Sequence, residues 1–317
     1  MLRTILFLSA TLVLAVVGSI LSPFELRPEQ LDAFWLVTPV FIGFTLGAFL
    51  VGELTRNYSQ VDKLWSVVPA VYAGLFAYCS DWNPRVLLAA CLILLWSIRL
   101  SLNFARRGGY TWPPWGGEED YRWAVLREND LFRGHPWRFR AFNFFFICGY
   151  QMSLVYLFTL PVLLAWTDRP LGVWDLLLAI ILVGLVGVEY VADQQQYDYQ
   201  TEKYRQIEER GEASGAHGLG FVHTGLWRHS RHPNYAAEQA IWIVVYGFSV
   251  VATQTALNPT IIGAVLLLIL FVGSADFSEG ISAKKYPRYQ DYISRTPRFW
   301  PTPWGQRFDP GAAEDDR

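Results

Sequence analysis

Residues 225–238 read Gly-Leu-Trp-Arg-His-Ser-Arg-His-Pro-Asn-Tyr-Ala-Ala-Glu. Arg228, His229, Arg231 and His232 stand just ahead of a proline and a long apolar run. Pro233 suits the first position of a helix, where its missing N–H costs nothing and its φ is already helical. The free amides and positive dipole end of that helix, beside the basic residues, suit an anion such as a phosphate. Asn234 and Glu238 are four apart, so they share one helix face, with the carboxylate one turn inside the rim. A carboxylate that deep in a membrane helix faces a cavity or a partner, because lipid exposure is costly. Solvated interfacial residues touching lipid headgroups are the competing reading of the basic cluster.

Other polar groups interrupt apolar runs in a pattern that points the same way. Glu189, Asp193 and Tyr197 recur every four residues and form one polar stripe along a helix. Asp62 opens an apolar run, Arg99 and Asn103 close another, and Gln151 lies inside a third. Snorkelling accounts for Arg99 and Asn103, but a short carboxylate stem accounts less well for Asp62. Together these groups predict a polar cavity near one leaflet, open to a lipid-like substrate from the bilayer. His223, His229 and His232 suggest zinc by type, yet Arg228 and Arg231 flank them and a dication is unfavourable in that field, so no metal is expected. Cys79, Cys91 and Cys148 all lie in apolar runs and read as small buried side chains. The sequence has no G-x-G-x-x-G after a strand, no Walker loop and no G-x-S-x-G elbow. A nucleotide would therefore be held between helices and loops.

These residues must be positioned by membrane helices. The chain has 317 residues, 52% hydrophobic and 16% aromatic, an average that a soluble domain also reaches. Distribution decides the class. Apolar runs at 4–20, 33–54, 64–80, 86–104, 142–166, 173–191, 233–251 and 259–275 have the length of bilayer spans. They predict an all-α polytopic membrane helix bundle of seven or eight transmembrane helices. The first run follows Arg3 as a signal peptide would, but no small-residue cleavage site follows it, and a retained helix is expected. With eight spans, one side of the membrane holds 22 of the 26 Lys and Arg, which makes that side cytoplasmic, with both termini and the long loops 105–141 and 192–232. A net charge of −2 offers nothing to nucleic acid. Residues 1–56 read as N-terminal transmembrane helices, 57–304 as the main membrane domain, and 305–317 as a C-terminal tail expected to be disordered.

Ser230-Arg231-His232-Pro233-Asn234-Tyr235-x-x-Glu238 resembles the hallmark of the steroid 5-alpha-reductase superfamily, closest to its uncharacterised bacterial and fungal branch. The likeness extends to residues 61–66, to Trp96 through Arg99 with Asn103, to Glu189 with Asp193, and to Glu279 onward with Tyr289, Tyr292, Arg295, Thr296 and Pro297. It covers most of the chain. Isoprenylcysteine carboxyl methyltransferases share the Arg-His-Pro core, so a methyltransferase using S-adenosylmethionine is the first alternative. A non-enzymatic lipid-binding membrane protein is the second.

The resemblance implies NADPH on the cytoplasmic side and hydride delivery to a carbon–carbon double bond conjugated to a carbonyl, in a sterol-, prenyl- or fatty-type lipid. It implies a cofactor pocket of Glu189, Asp193, Arg231, His232, Asn234, Tyr235 and Tyr292, closed by Tyr289 and Arg295. Arg228, Arg231, Lys284 and Arg295 would neutralise its phosphates. Asp62 falls where the steroid reductases have a catalytic glutamate, and Trp96 where they have a catalytic tyrosine. With Glu238 these form the expected catalytic set. A protonated Asp62 or the Trp96 indole N–H would polarise the substrate carbonyl. The departures weigh against a steroid substrate more than against reduction.

Overall fold

The computed structural model describes residues 10–13, 17–18, 25–301 and 308–310. It is helical, with no strand among the described residues. Six helices there are long and apolar enough to cross a membrane: α1 (Pro28–Thr55), α4 (Pro84–Ala105), α6 (Pro136–Leu164), α7 (Val173–Arg210), α8 (Pro233–Thr253) and α9 (Ile261–Lys285). Among the described residues three short α-helices lie between them, α2 (Gln60–Trp65), α3 (Val68–Cys79) and α5 (Tyr121–Arg127), and α10 (Tyr289–Arg295) follows α9.

Two of the eight expected spans are not among the six. The first, 4–20, lies largely outside the described residues. The third, 64–80, is a correction: the helix breaks after Trp65 and restarts at Val68. Pro69 enforces the break, since its ring would collide with the carbonyl of Trp65 in a continuous helix. The restarted helix has 12 residues, about 18 Å at 1.5 Å per residue, well short of a ~30 Å hydrocarbon core. Proline otherwise marks helix starts, at Pro28, Pro84, Pro136 and Pro233.

The chain forms two compact units interleaved in sequence: Met1–Val183 with Trp242–Leu267, and Gly184–Ile241 with Leu268–Arg317. The first unit is held by aromatic and ionic contacts. Tyr156 of α6 stacks on Phe41 of α1 at 5.0 Å and meets Tyr72 of α3 edge-on at 5.3 Å. Arg85 of α4 pairs with Asp175 of α7 at 2.7 Å, both side chains buried, and donates to the carbonyl of Pro170. Part of α6, Asn143–Tyr150, is wound as a wider π-helix, a winding that locally re-aims side chains.

The second unit has a core of Phe221, Tyr289, Tyr292 and Phe308 and a smaller one of Tyr199, Val222 and Trp227. Phe308 falls in the stretch expected to be a disordered tail. It is buried instead, 5.9 Å from the Phe221 ring. Residues 311–317 lie outside the described residues.

Candidate functional site

In the second unit the Arg-His-Pro segment is fastened at both ends. Gly225 takes a left-handed φ of 61° and lies so close to Gln195 that a β-carbon would come within 2.5 Å of its amide. Gln195 in turn accepts from the Leu226 amide at 2.9 Å, and the Trp227 indole donates to the carbonyl of Ala192 at 3.0 Å. Further along, the amides of Arg231 and His232 donate to the carbonyls of Pro297 and Arg298 at 2.9 and 3.0 Å. The Tyr292 hydroxyl donates to the carbonyl of Trp227. Burial pushes the phenol of Tyr292 upward and that of Tyr289 up to about 12, so both stay neutral at physiological pH.

One carboxylate organises this segment. Arg231 Nε donates to Glu279 Oε1 at 2.8 Å, and His232 Nε2 meets the same oxygen at 2.9 Å. Arg298 Nη2 donates to Glu279 Oε2 at 3.1 Å. Arg231 also donates to the carbonyls of Ile293 and Thr296. Arg231 and Glu279 are 7% and 5% exposed, so the arginine expected to meet cofactor phosphates is turned into the protein and fixes the chain there. Arg228, Lys284 and Arg295 remain exposed. Glu279 was legible only as the start of the resembling C-terminal region. The missed signal is that a carboxylate inside a membrane helix needs a partner, and the motif supplies two.

Below this hub, Asn234 Nδ2 donates to Asp193 Oδ1 at 3.1 Å, joining α8 to α7. Glu189 is one turn before Asp193 and Glu238 one turn after Asn234, and both are buried. Of these four, Asp193 and Asn234 meet directly, and Glu189 and Glu238 lie buried one turn away on the same two helices. Tyr235 stacks its ring on His232 at 5.1 Å and touches Phe271 at 4.7 Å. Among the described residues no group of three or more His, Cys, Asp or Glu is arranged for a metal ion.

Asp62 and Trp96 belong to the first unit. Asp62 sits on α2, and Trp123 Nε1 donates to its Oδ2 at 3.0 Å. Burial pushes the carboxyl above the ordinary aspartate range; Arg122, and hydrogen bonds from Trp123 and Ser59, work the other way, while Asp120 adds to the rise. Trp123 was missed, being one tryptophan among 14. The segment carrying it is pinned to α2: Lys63 Nζ donates to the carbonyls of Pro114, at 3.1 Å, and Gly116, and Gln60 to that of Trp115 at 3.0 Å. Trp96 is fully buried, edge-on to Trp242 at 5.0 Å, and Trp242 packs on Phe158 at 4.0 Å. The buried hydroxyls of Tyr72, Ser97 and Tyr150 have no hydrogen-bond partner among the described residues.

The residues matched by a family model decide the relationship: 48–296 match the model of a protein family of unknown function, DUF1295. The chain belongs to the DUF1295 family. The match takes in Asp62, Trp123, the Glu189–Asp193 stripe, the Arg-His-Pro motif and Glu279. The chain is also similar to an uncharacterised protein of Schizosaccharomyces pombe, 34% identical over 298 residues, covering 88% of this chain and 84% of that one. No solved structure matches the chain.

Proposed function

We propose that this DUF1295 protein is a membrane-embedded, NADPH-dependent reductase of a carbon–carbon double bond conjugated to a carbonyl in a lipid. The observation that carries the reading is the bond between buried Asp193 and half-buried Asn234, flanked by Glu189 and Glu238, in the unit that also presents Arg228, Lys284 and Arg295 at its surface. Carboxylates and an amide can hold ribose hydroxyls and the nicotinamide carboxamide, and exposed cations can neutralise phosphates. The resemblance of the motif to the steroid 5-alpha-reductase superfamily supports the same choice. Arg231 and His232 then act by holding the motif on Glu279. Tyr289 and Tyr292 hold the C-terminal segment that carries Arg295.

When bound, NADPH supplies the hydride. Hydride addition to an enone drives negative charge onto the carbonyl oxygen, which needs a donor already in place. A protonated Asp62 is that donor in this reading, because its burial favours the neutral acid. Trp96 shapes the apolar wall. The distribution of basic residues supports cytoplasmic termini and long loops, on the side where NADPH is found.

The test is NADPH oxidation by purified protein in detergent, with a long-chain methyl enone as substrate and the saturated ketone as control. The reading expects oxidation that depends on the enone and is lost in Asp62→Asn. Oxidation equal with both compounds, or none with any lipid enone tried, counts against it. Transfer of a methyl group from S-adenosylmethionine would favour the methyltransferase alternative.

A further inference from the structure

Asp62 has one oxygen bound by a group that can only donate. An indole carries an N–H and no acceptor in the ring plane, so Oδ2, at 3.0 Å from Trp123 Nε1, must be the accepting oxygen. In a neutral carboxyl the carbonyl oxygen is the stronger acceptor and the other oxygen carries the proton; the Ser59 hydroxyl is a second donor to the same carboxyl. We propose that Trp123 is the positioning residue of this site: it fixes Oδ2 as the acceptor and leaves Oδ1 as the oxygen that holds the proton and presents it to a substrate carbonyl. This rests on the reductase reading for the nature of the substrate, but the geometry of the carboxyl stands without it.

The fold is built to keep Trp123 where it is. Asp120 caps α5 by accepting from the Arg122 amide at 2.9 Å. The Asp120 amide donates to Ser59 Oγ at 2.9 Å, one turn before Asp62 on the adjoining segment. Glu119 accepts from the Tyr58 amide at 3.0 Å and pairs with Arg127 at the end of α5. Trp123 is 6% exposed, so its side chain has no freedom to swing away. The charged and titratable groups around Asp62 are Arg122 and Asp120 from the α5 side, Lys63 beside it on α2, and Cys148 on α6.

The sign of the effect follows from the bond. A donor to a carboxylate favours the charged form, so losing the indole N–H raises the midpoint at which Asp62 ionises. A hydrogen bond to a charged group, at about 1.5–3 kcal/mol, corresponds to a rise of about one to two pH units. The experiment is infrared titration of the full-length protein in detergent, with the Asp62 carboxyl band identified as the one lost in Asp62→Asn. Trp123→Phe should move the midpoint of that band upward, and Trp123→His, which retains a ring N–H, should return it towards wild type. A midpoint unchanged or lowered in Trp123→Phe, or equal in the Phe and His variants, overturns the assignment. The titration uses neither NADPH nor substrate. A shifted midpoint without any NADPH oxidation would leave the positioning role standing and sink the reductase; oxidation with an unshifted midpoint would do the reverse.

Discussion

Two carboxyl groups, Glu279 and Asp62, sit in this protein under opposite regimes. Glu279 meets Arg231, His232 and Arg298, with three cationic or ring-nitrogen groups sharing its two oxygens. Asp62 meets only neutral donors, Trp123 and Ser59, in an environment that pushes it towards the protonated acid. The first is a carboxylate whose bonding capacity is used up by the protein. The second has no cationic partner at hydrogen-bond distance among the described residues and is free to hold a proton. The difference separates a group that holds the chain in place from a group that can do chemistry, although both are acids in a largely apolar chain.

The largest effect should come from breaking the Glu279 hub. Glu279→Ala leaves Arg231 buried without its counter-charge, a loss on the order of 3–5 kcal/mol. Thermal unfolding in detergent should show it, and Arg231→Ala should do the same from the other side. If Arg231→Ala keeps wild-type stability, the arginine is not the structural group described here.

Asp62→Asn should do the opposite, keeping the fold and reducing kcat for enone reduction about 10²–10⁴-fold, the range for removing a general acid. The pH dependence of stability sharpens the contrast. Because folding raises the Asp62 pKa above its ordinary value of 3.8, its contribution is present in full below that value and is lost as pH rises through the folded one. Wild type should therefore lose stability across that window, and Asp62→Asn should flatten this part of the profile. A wild-type profile that rises there would contradict the assignment.

The Asp193–Asn234 bond lies between these extremes. Asn234→Ala should weaken NADPH about tenfold, the worth of roughly one hydrogen bond to a charged or polar ligand group, with little change in melting temperature. The smallest effect belongs to the unpartnered hydroxyls. Tyr150→Phe removes a buried oxygen that has no partner among the described residues, so stability should hold or rise by less than about 1 kcal/mol. A clear loss in a melting experiment would mean that the hydroxyl is satisfied.

Much of the fold was legible because its signals are local. Pro233 fixed the start of α8, and the expected run 233–251 differs from Pro233–Thr253 by two residues at one end. The four-residue spacing of Glu189 with Asp193, and of Asn234 with Glu238, correctly placed four polar groups on two helix faces. The break before α3 was written in Pro69, but hydropathy averaged over the run hid it. Glu279 and Trp123 were not legible in the same way. Each acquires its role from a partner far along the chain, 48 residues from Arg231 and 61 from Asp62, and no periodicity reports such a pairing. The resemblance drew Arg231 towards a ligand, whereas packing commits it to Glu279.

The most direct test of the account is calorimetric titration of NADPH into the purified protein in detergent, beside a variant carrying both Asp193→Ala and Asn234→Ala. Wild type should bind saturably, and the variant should lose affinity while still melting like wild type. Absence of binding by wild type, or undiminished binding by the variant, would contradict it.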